Sequence, residues 1–152
     1  MPTRRQHLQQ TALVAGMLAS TGLFPQFAHA AFNKAAFDAK SIAEALKAYG
    51  ASAPAESKDV TVTAPDIAEN GAVVPLGAAT TLPNVKQLLI LVEKNPSSLV
   101  AMFNITESID AAVSTRAKMG QSSDVYAVAI TADGKALYAK KEVKVTLGGC
   151  GG

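Results

Sequence analysis

Cys150 is the only cysteine in the chain, and it stands between two glycine pairs in Gly148-Gly149-Cys150-Gly151-Gly152. A thiol brings nucleophilic and redox chemistry: as the thiolate it forms sulfur–sulfur bonds that can later be broken. Glycine has no side chain to bury and loses much backbone entropy on ordering, so these five residues predict a flexible arm rather than part of a core. Extended chain spans at most about 3.3–3.6 Å per residue, which lets the sulfur stand roughly 10 Å beyond the body that carries it. Nothing in the arm lowers the thiol pKa. The nearest cation in sequence is Lys144, and a carboxylate at Gly152, ~7 Å away in water, acts by only about 0.6 kcal/mol. An ordinary thiol near ~8.5 is expected, to be activated by whatever protein receives it. The pattern is that of a tether delivering a thiol into another protein's pocket.

Little else in the chain could do chemistry. Residues 1–30 read as an export signal: Arg4 and Arg5 form a twin-arginine pair, an apolar run follows from Thr11 to Phe24, and Ala28-His29-Ala30 offers a signal-peptidase site. His7 stands where such signals usually carry an aromatic residue, which leaves general secretion as the alternative export route. The apolar run is shorter than the roughly 20 residues of a membrane span and is stopped by Pro25. A periplasmic protein, cleaved near Ala30/Ala31 and without a membrane anchor, is therefore expected. The mature chain keeps 12 of the 14 Lys and Arg residues against 12 Asp and Glu, so its formal charge is zero. A neutral surface argues against nucleic acid, whose binding needs concentrated Lys and Arg. Both histidines, His7 and His29, leave with the signal. Without an imidazole there is no Ser-His-Asp or Cys-His catalyst, and zinc, copper and c-type haem sites lack their ligands. No metal, no cofactor and no catalytic residue of its own is expected, and the chain reads as no enzyme.

The remaining residues must mount the arm. Asn33 to Tyr49 predicts one helix: Phe37, Ile42, Leu46 and Tyr49 recur near helical spacing, and Gly50 suits the position past its end. Ser52 to Ser57, with Pro54, reads as a linker. From Asp59 the period changes to two. Strands are expected at Val60–Thr63, at Val73–Leu76 (where Pro75 signals an edge or a bulge), at Leu88–Val92 as a central strand, and at Leu99–Ile105 and Ala111–Lys118. Further strands are expected at Val125–Thr131 and Lys135–Tyr138, flanking an Asp133-Gly134 hairpin, and last at Val143–Leu147. Seven or eight short strands argue for an all-β, immunoglobulin-like antiparallel β-sandwich with an N-terminal helix and the flexible C-terminal arm. The domain reading is 1–30 signal, 31–57 helix and linker, 58–147 sandwich, 148–152 arm. Met102 and Tyr126 are candidates for a partner-facing surface or for core.

With the export signal, the stretch Ser114-Thr115-Arg116-Ala117-Lys118-Met119-Gly120 and the end Val143-Lys144-Val145-Thr146-Leu147-Gly148-Gly149-Cys150-Gly151-Gly152, the chain resembles the SoxY family. Members are the sulfur-carrier subunits of the periplasmic Sox thiosulfate-oxidising system. The resemblance implies a covalent carrier whose sulfur is attached at Cys150 and whose arm is Gly148, Gly149, Gly151 and Gly152. It implies a heterodimer with a SoxZ-type small β-sandwich subunit. It also implies a haem c enzyme that conjugates thiosulfate to the thiol, a metal-dependent hydrolase that releases sulfate, and in some systems a molybdenum–haem sulfane dehydrogenase. Two other readings stand beside it. One is a periplasmic β-sandwich interaction module with an incidental tail. The other is a ubiquitin-like Gly-Gly sulfur carrier, whose ATP-dependent thiocarboxylate chemistry fits poorly with export.

Overall fold

In the computed structural model the described residues are 33–146 together with Arg4. The expected signal and the arm of Gly148, Gly149, Cys150, Gly151 and Gly152 lie outside them. Two short helices, α1 (Lys34–Asp38) and α2 (Ile42–Ala48), precede nine strands. These are β1 (Ala55–Glu56), β2 (Val60–Thr63), β3 (Ile67–Ala68), β4 (Val74–Thr80), β5 (Val85–Val92), β6 (Leu99–Asn104), β7 (Ala112–Ala117), β8 (Ser123–Thr131) and β9 (Ala136–Val145). The larger sheet runs β1-β9-β8-β5-β6, with β3 also on β9, and the smaller runs β2-β4-β7. The all-β sandwich expected from the period-two pattern is what the chain forms.

The single helix expected over Asn33–Tyr49 is instead two, because a better start signal lies inside it. Ser41-Ile42-Ala43-Glu44 is a capping sequence: the Ser41 hydroxyl accepts from the Glu44 amide (3.3 Å) and the Glu44 carboxylate accepts from the Lys40 amide (3.0 Å). The break leaves the Ala39 carbonyl for the sheet, and it accepts from the Ser98 amide at 3.1 Å. Gly50, with φ +68°, closes α2 in the left-handed conformation that glycine adopts without strain.

Two cores follow from strand alternation. Val60, Leu76 and Ala78 of the smaller sheet meet Leu88, Ile90, Val92, Val125, Ala127 and Val143 of the larger, with Met119 between them. On the other face of the larger sheet, Leu89, Leu91, Leu99, Val128 and Ile130 pack against Ala36, Ala45 and Leu46 of the helices. Strand β5 is thus covered on both faces, which is why Leu88–Val92 is uninterruptedly apolar; all five are 1% exposed or less. Met102 and Tyr126 are partly buried against the helix-side core, and the Tyr126 ring lies 5.5 Å from that of Tyr138.

Pro75 is the second residue of β4, the central strand of the smaller sheet, and does not disrupt it. The β2 pairing stops at Thr63↔Gly77, so at Pro75 strand β4 has only β7 as a neighbour. A residue without an N–H is tolerated there as on an edge.

The Asp133-Gly134 turn joins β8 to β9 as expected, with Gly134 at φ +81° and its amide donating to the Thr131 carbonyl at 3.0 Å. Asp133 accepts from Lys135 at 2.7 Å and from the Thr131 hydroxyl. Those donors hold its carboxyl at about 2, below the ordinary value. A depressed folded-state pKa stabilises the protein above the unfolded value of about 4 and loses that contribution as pH falls through about 2. Asp133→Asn should lower the unfolding midpoint slightly at pH 5, by no more than an exposed ion pair contributes, with the difference from wild type shrinking as pH falls towards 2; thermal scans across that range check it.

Candidate functional site

The site calls made from sequence, Cys150 and its four flanking glycines, all fall beyond residue 146; the described residues hold the root from which they extend. Strand β9 carries that root. It is one ten-residue strand where the sequence suggested two, Lys135–Tyr138 and Val143–Leu147, because the polar run between them lies on a single continuous ladder. Antiparallel pairing with β8 runs unbroken from Ile130↔Ala136 to Ser123↔Val143. Val143 is fully buried and Val145 packs partly against the same core, as the alternation predicts; Leu147 lies outside the described residues.

Beyond Val143 the neighbours change. On one side β3 runs parallel to the strand, with Ile67 opposite Lys144 and Ala68 opposite Val145. The Lys144 amide donates to the Asp66 carbonyl (3.0 Å) and the Thr146 amide to the Ala68 carbonyl (3.1 Å). The Thr146 hydroxyl donates to the Glu69 carbonyl (3.1 Å). On the other side β8 has ended, and the Val145 amide donates to the Ser122 hydroxyl at 2.9 Å. Segment 64–69 is itself tied down by Lys141, whose ammonium donates to the Ala64 carbonyl (2.7 Å) and pairs with Asp66 (2.9 Å). That contact lowers the Asp66 carboxyl pKa.

The loops beside the root are also cross-tied. Lys94 donates from its amide to the Ser123 hydroxyl (3.0 Å), Asn95 from its side chain to the Lys118 carbonyl (2.8 Å), and Met119 from its amide to the Gly71 carbonyl (2.7 Å). Asn95, Pro96, Ser97, Lys118 and Gly120 line a shallow cavity of about 390 Å³. Among the described residues no group of three or more His, Cys, Asp and Glu side chains is placed to hold a metal ion, and no described helix is long and apolar enough to cross a membrane.

Sequence reasoning missed β1, β3 and Ser122. Two-residue strands carry no period, and a serine before a strand carries no sign of which amide it will accept from. The segment read as a linker contains β1, which pairs in parallel with Leu137 and Tyr138 of β9.

Against models of protein families, residues 45–150 match that of the sulfur oxidation protein SoxY. The chain belongs to the SoxY family. The match extends to residue 150 and so takes in the cysteine. Among solved structures this SoxY-family chain is similar to the sulfur carrier protein SoxY from Chlorobium limicola f thiosulfatophilum. The two are 35% identical, with a TM-score of 0.59 over 65% of this chain and 89% of that one. A superoxide reductase (neelaredoxin) from Ignicoccus hospitalis superposes with a TM-score of 0.50 at 16% identity, over 57% of this chain and 78% of that one; that likeness shows the sandwich fold alone. A comparison with curated protein sequences found no match.

Proposed function

We propose that this SoxY-family protein carries sulfur intermediates covalently on Cys150 during periplasmic thiosulfate oxidation, on an arm of residues 148–152 that swings from the end of β9. Loading joins the Cys150 thiol to the outer sulfur of thiosulfate. One sulfur–sulfur bond forms, one proton leaves, and two electrons pass one at a time through the haem c of the conjugating enzyme to its electron acceptor, giving Cys–S–S–SO₃⁻. A metal-dependent hydrolase then adds water and breaks the S–SO₃ bond, releasing sulfate and a proton and leaving a persulfide on Cys150. Where a sulfane dehydrogenase is present, it oxidises that persulfide for a second hydrolysis. The chain itself is a co-substrate and no catalyst. It works beside a SoxZ-type subunit and reaches the periplasm by the twin-arginine route, cleaved near Ala30.

One observation carries the reading: the family match takes in the only thiol of the chain. Chemistry supports it too. Several enzymes must accept the same cargo, so the recognised element has to be thin and unobstructed around the sulfur. A residue pair without side chains on each side of Cys150 meets that demand.

Intact mass of the protein from thiosulfate-grown cells tests it. Adducts of thiosulfonate, persulfide or sulfonate should map to the C-terminal peptide, with the sulfur–sulfur linked ones released by thiol reductants. A chain that stays unmodified under every growth condition overturns the proposal.

A further inference from the structure

We infer that β3 and Ser122 form a clamp that fixes the root of the arm at Thr146, and that Ser122 and Thr146 are positioning residues for cargo delivery. The inference rests on the carrier reading above. Strand β9 outlasts its antiparallel partner: after the pair Ser123↔Val143, an edge strand would ordinarily fray. Here each amide from Lys144 to Thr146 has an acceptor, in turn the Asp66 carbonyl, the Ser122 hydroxyl and the Ala68 carbonyl. The Thr146 hydroxyl adds a bond to the Glu69 carbonyl. The acceptor segment is also tied to the part of β9 that pairs with β8, through Lys141 at Ala64 and Asp66. Three residues that make no ladder with β8 are therefore held from both sides.

The consequence is arm length. With the root fixed at Thr146, Cys150 is the fourth residue beyond it, a reach of at most about 14 Å. If the strand frayed to Val143 the free tether would be seven residues, reaching about 25 Å. The longer tether would present the thiol worse. Its end samples more space, and re-ordering even one residue's worth of freed root in an enzyme's channel weakens productive engagement by about tenfold. The clamp thus keeps the thiol's approach directed from one end of the sandwich.

The test compares wild type with Ser122→Ala, Thr146→Val, the double variant and Ser122→Thr, all as full-length processed protein. Each is titrated into the periplasmic fraction of a strain lacking the chain, and thiosulfate-dependent cytochrome reduction is followed. In the double variant amide hydrogen exchange should accelerate at residues 144–146 and not at Leu88–Val92. The carrier concentration giving half-maximal rate should rise about tenfold, with the maximal rate and the iodoacetamide alkylation rate of Cys150 unchanged. Ser122→Thr, which keeps the hydroxyl, should behave as wild type; Ser122→Ala alone serves if the double variant does not fold. Faster exchange with an unmoved half-saturation overturns the positioning role, and unchanged exchange overturns the clamp. Wild-type protein that supports no reduction overturns the carrier reading itself, and the clamp falls with it.

Discussion

Cys150→Ser is expected to reduce thiosulfate-dependent cytochrome reduction to the background of a strain without the chain, while the unfolding midpoint stays within a degree or so of wild type. Serine is nearly isosteric, but its hydroxyl is not ionised near neutral pH and forms no bond to sulfur that can be broken again by exchange or hydrolysis. The fold is not expected to register the change: a cysteine between glycine pairs has no neighbouring side chain to be buried with, and among the described residues the buried members of both cores lie between Ala36 and Val143. A graded companion separates attachment from access. Gly149→Val or Gly151→Val keeps the thiol but adds a branched side chain beside it and stiffens the backbone, so turnover should fall with alkylation by a small reagent preserved. Unchanged rates in these valine variants would remove the argument that the arm enters narrow channels.

Leu88→Ala should be the most damaging single truncation for stability. Leu88 is fully buried in an interior strand of the larger sheet, paired with Phe103 of β6 and Ala129 of β8, and it faces the smaller sheet. Removing its outer carbons loses transfer free energy and leaves a cavity that a strand pinned on both edges fills poorly, about 3 kcal/mol in total. Against a domain stability of about 5–15 kcal/mol that is a large fraction. Urea unfolding should show the midpoint falling with the slope unchanged. Thiosulfate turnover at low temperature, where the variant remains folded, should match wild type. A loss below about 1 kcal/mol would mean that the two sheets close over the gap.

What could be read from the residues alone was whatever depends on short stretches of chain. The thiol between glycines is a property of five consecutive residues and needs no fold to be recognised. The same holds for the Asp133-Gly134 turn, Gly50 after its helix, and the alternation at Val60–Thr63 and Val143–Val145. The continuous run Leu88–Val92 was legible as a central strand because only burial on both faces tolerates five apolar residues in succession.

Tertiary structure decided the rest, because its determinants are far apart in sequence. The Ser41–Glu44 cap that splits Asn33–Tyr49 is local and stood in the sequence, but the bond from the Ser98 amide to the Ala39 carbonyl that uses the break is long-range. Strands β1 and β3 exist only because β9 offers them an edge, and two residues cannot encode a period. Pro75 is harmless because β2 stops two residues short of it. The hold on the root of the arm joins Thr146 to Glu69 across 77 residues and Val145 to Ser122 across 23. The composition of an arm is written locally, whereas the point from which it swings is set by hydrogen bonds that form only once the sandwich has closed.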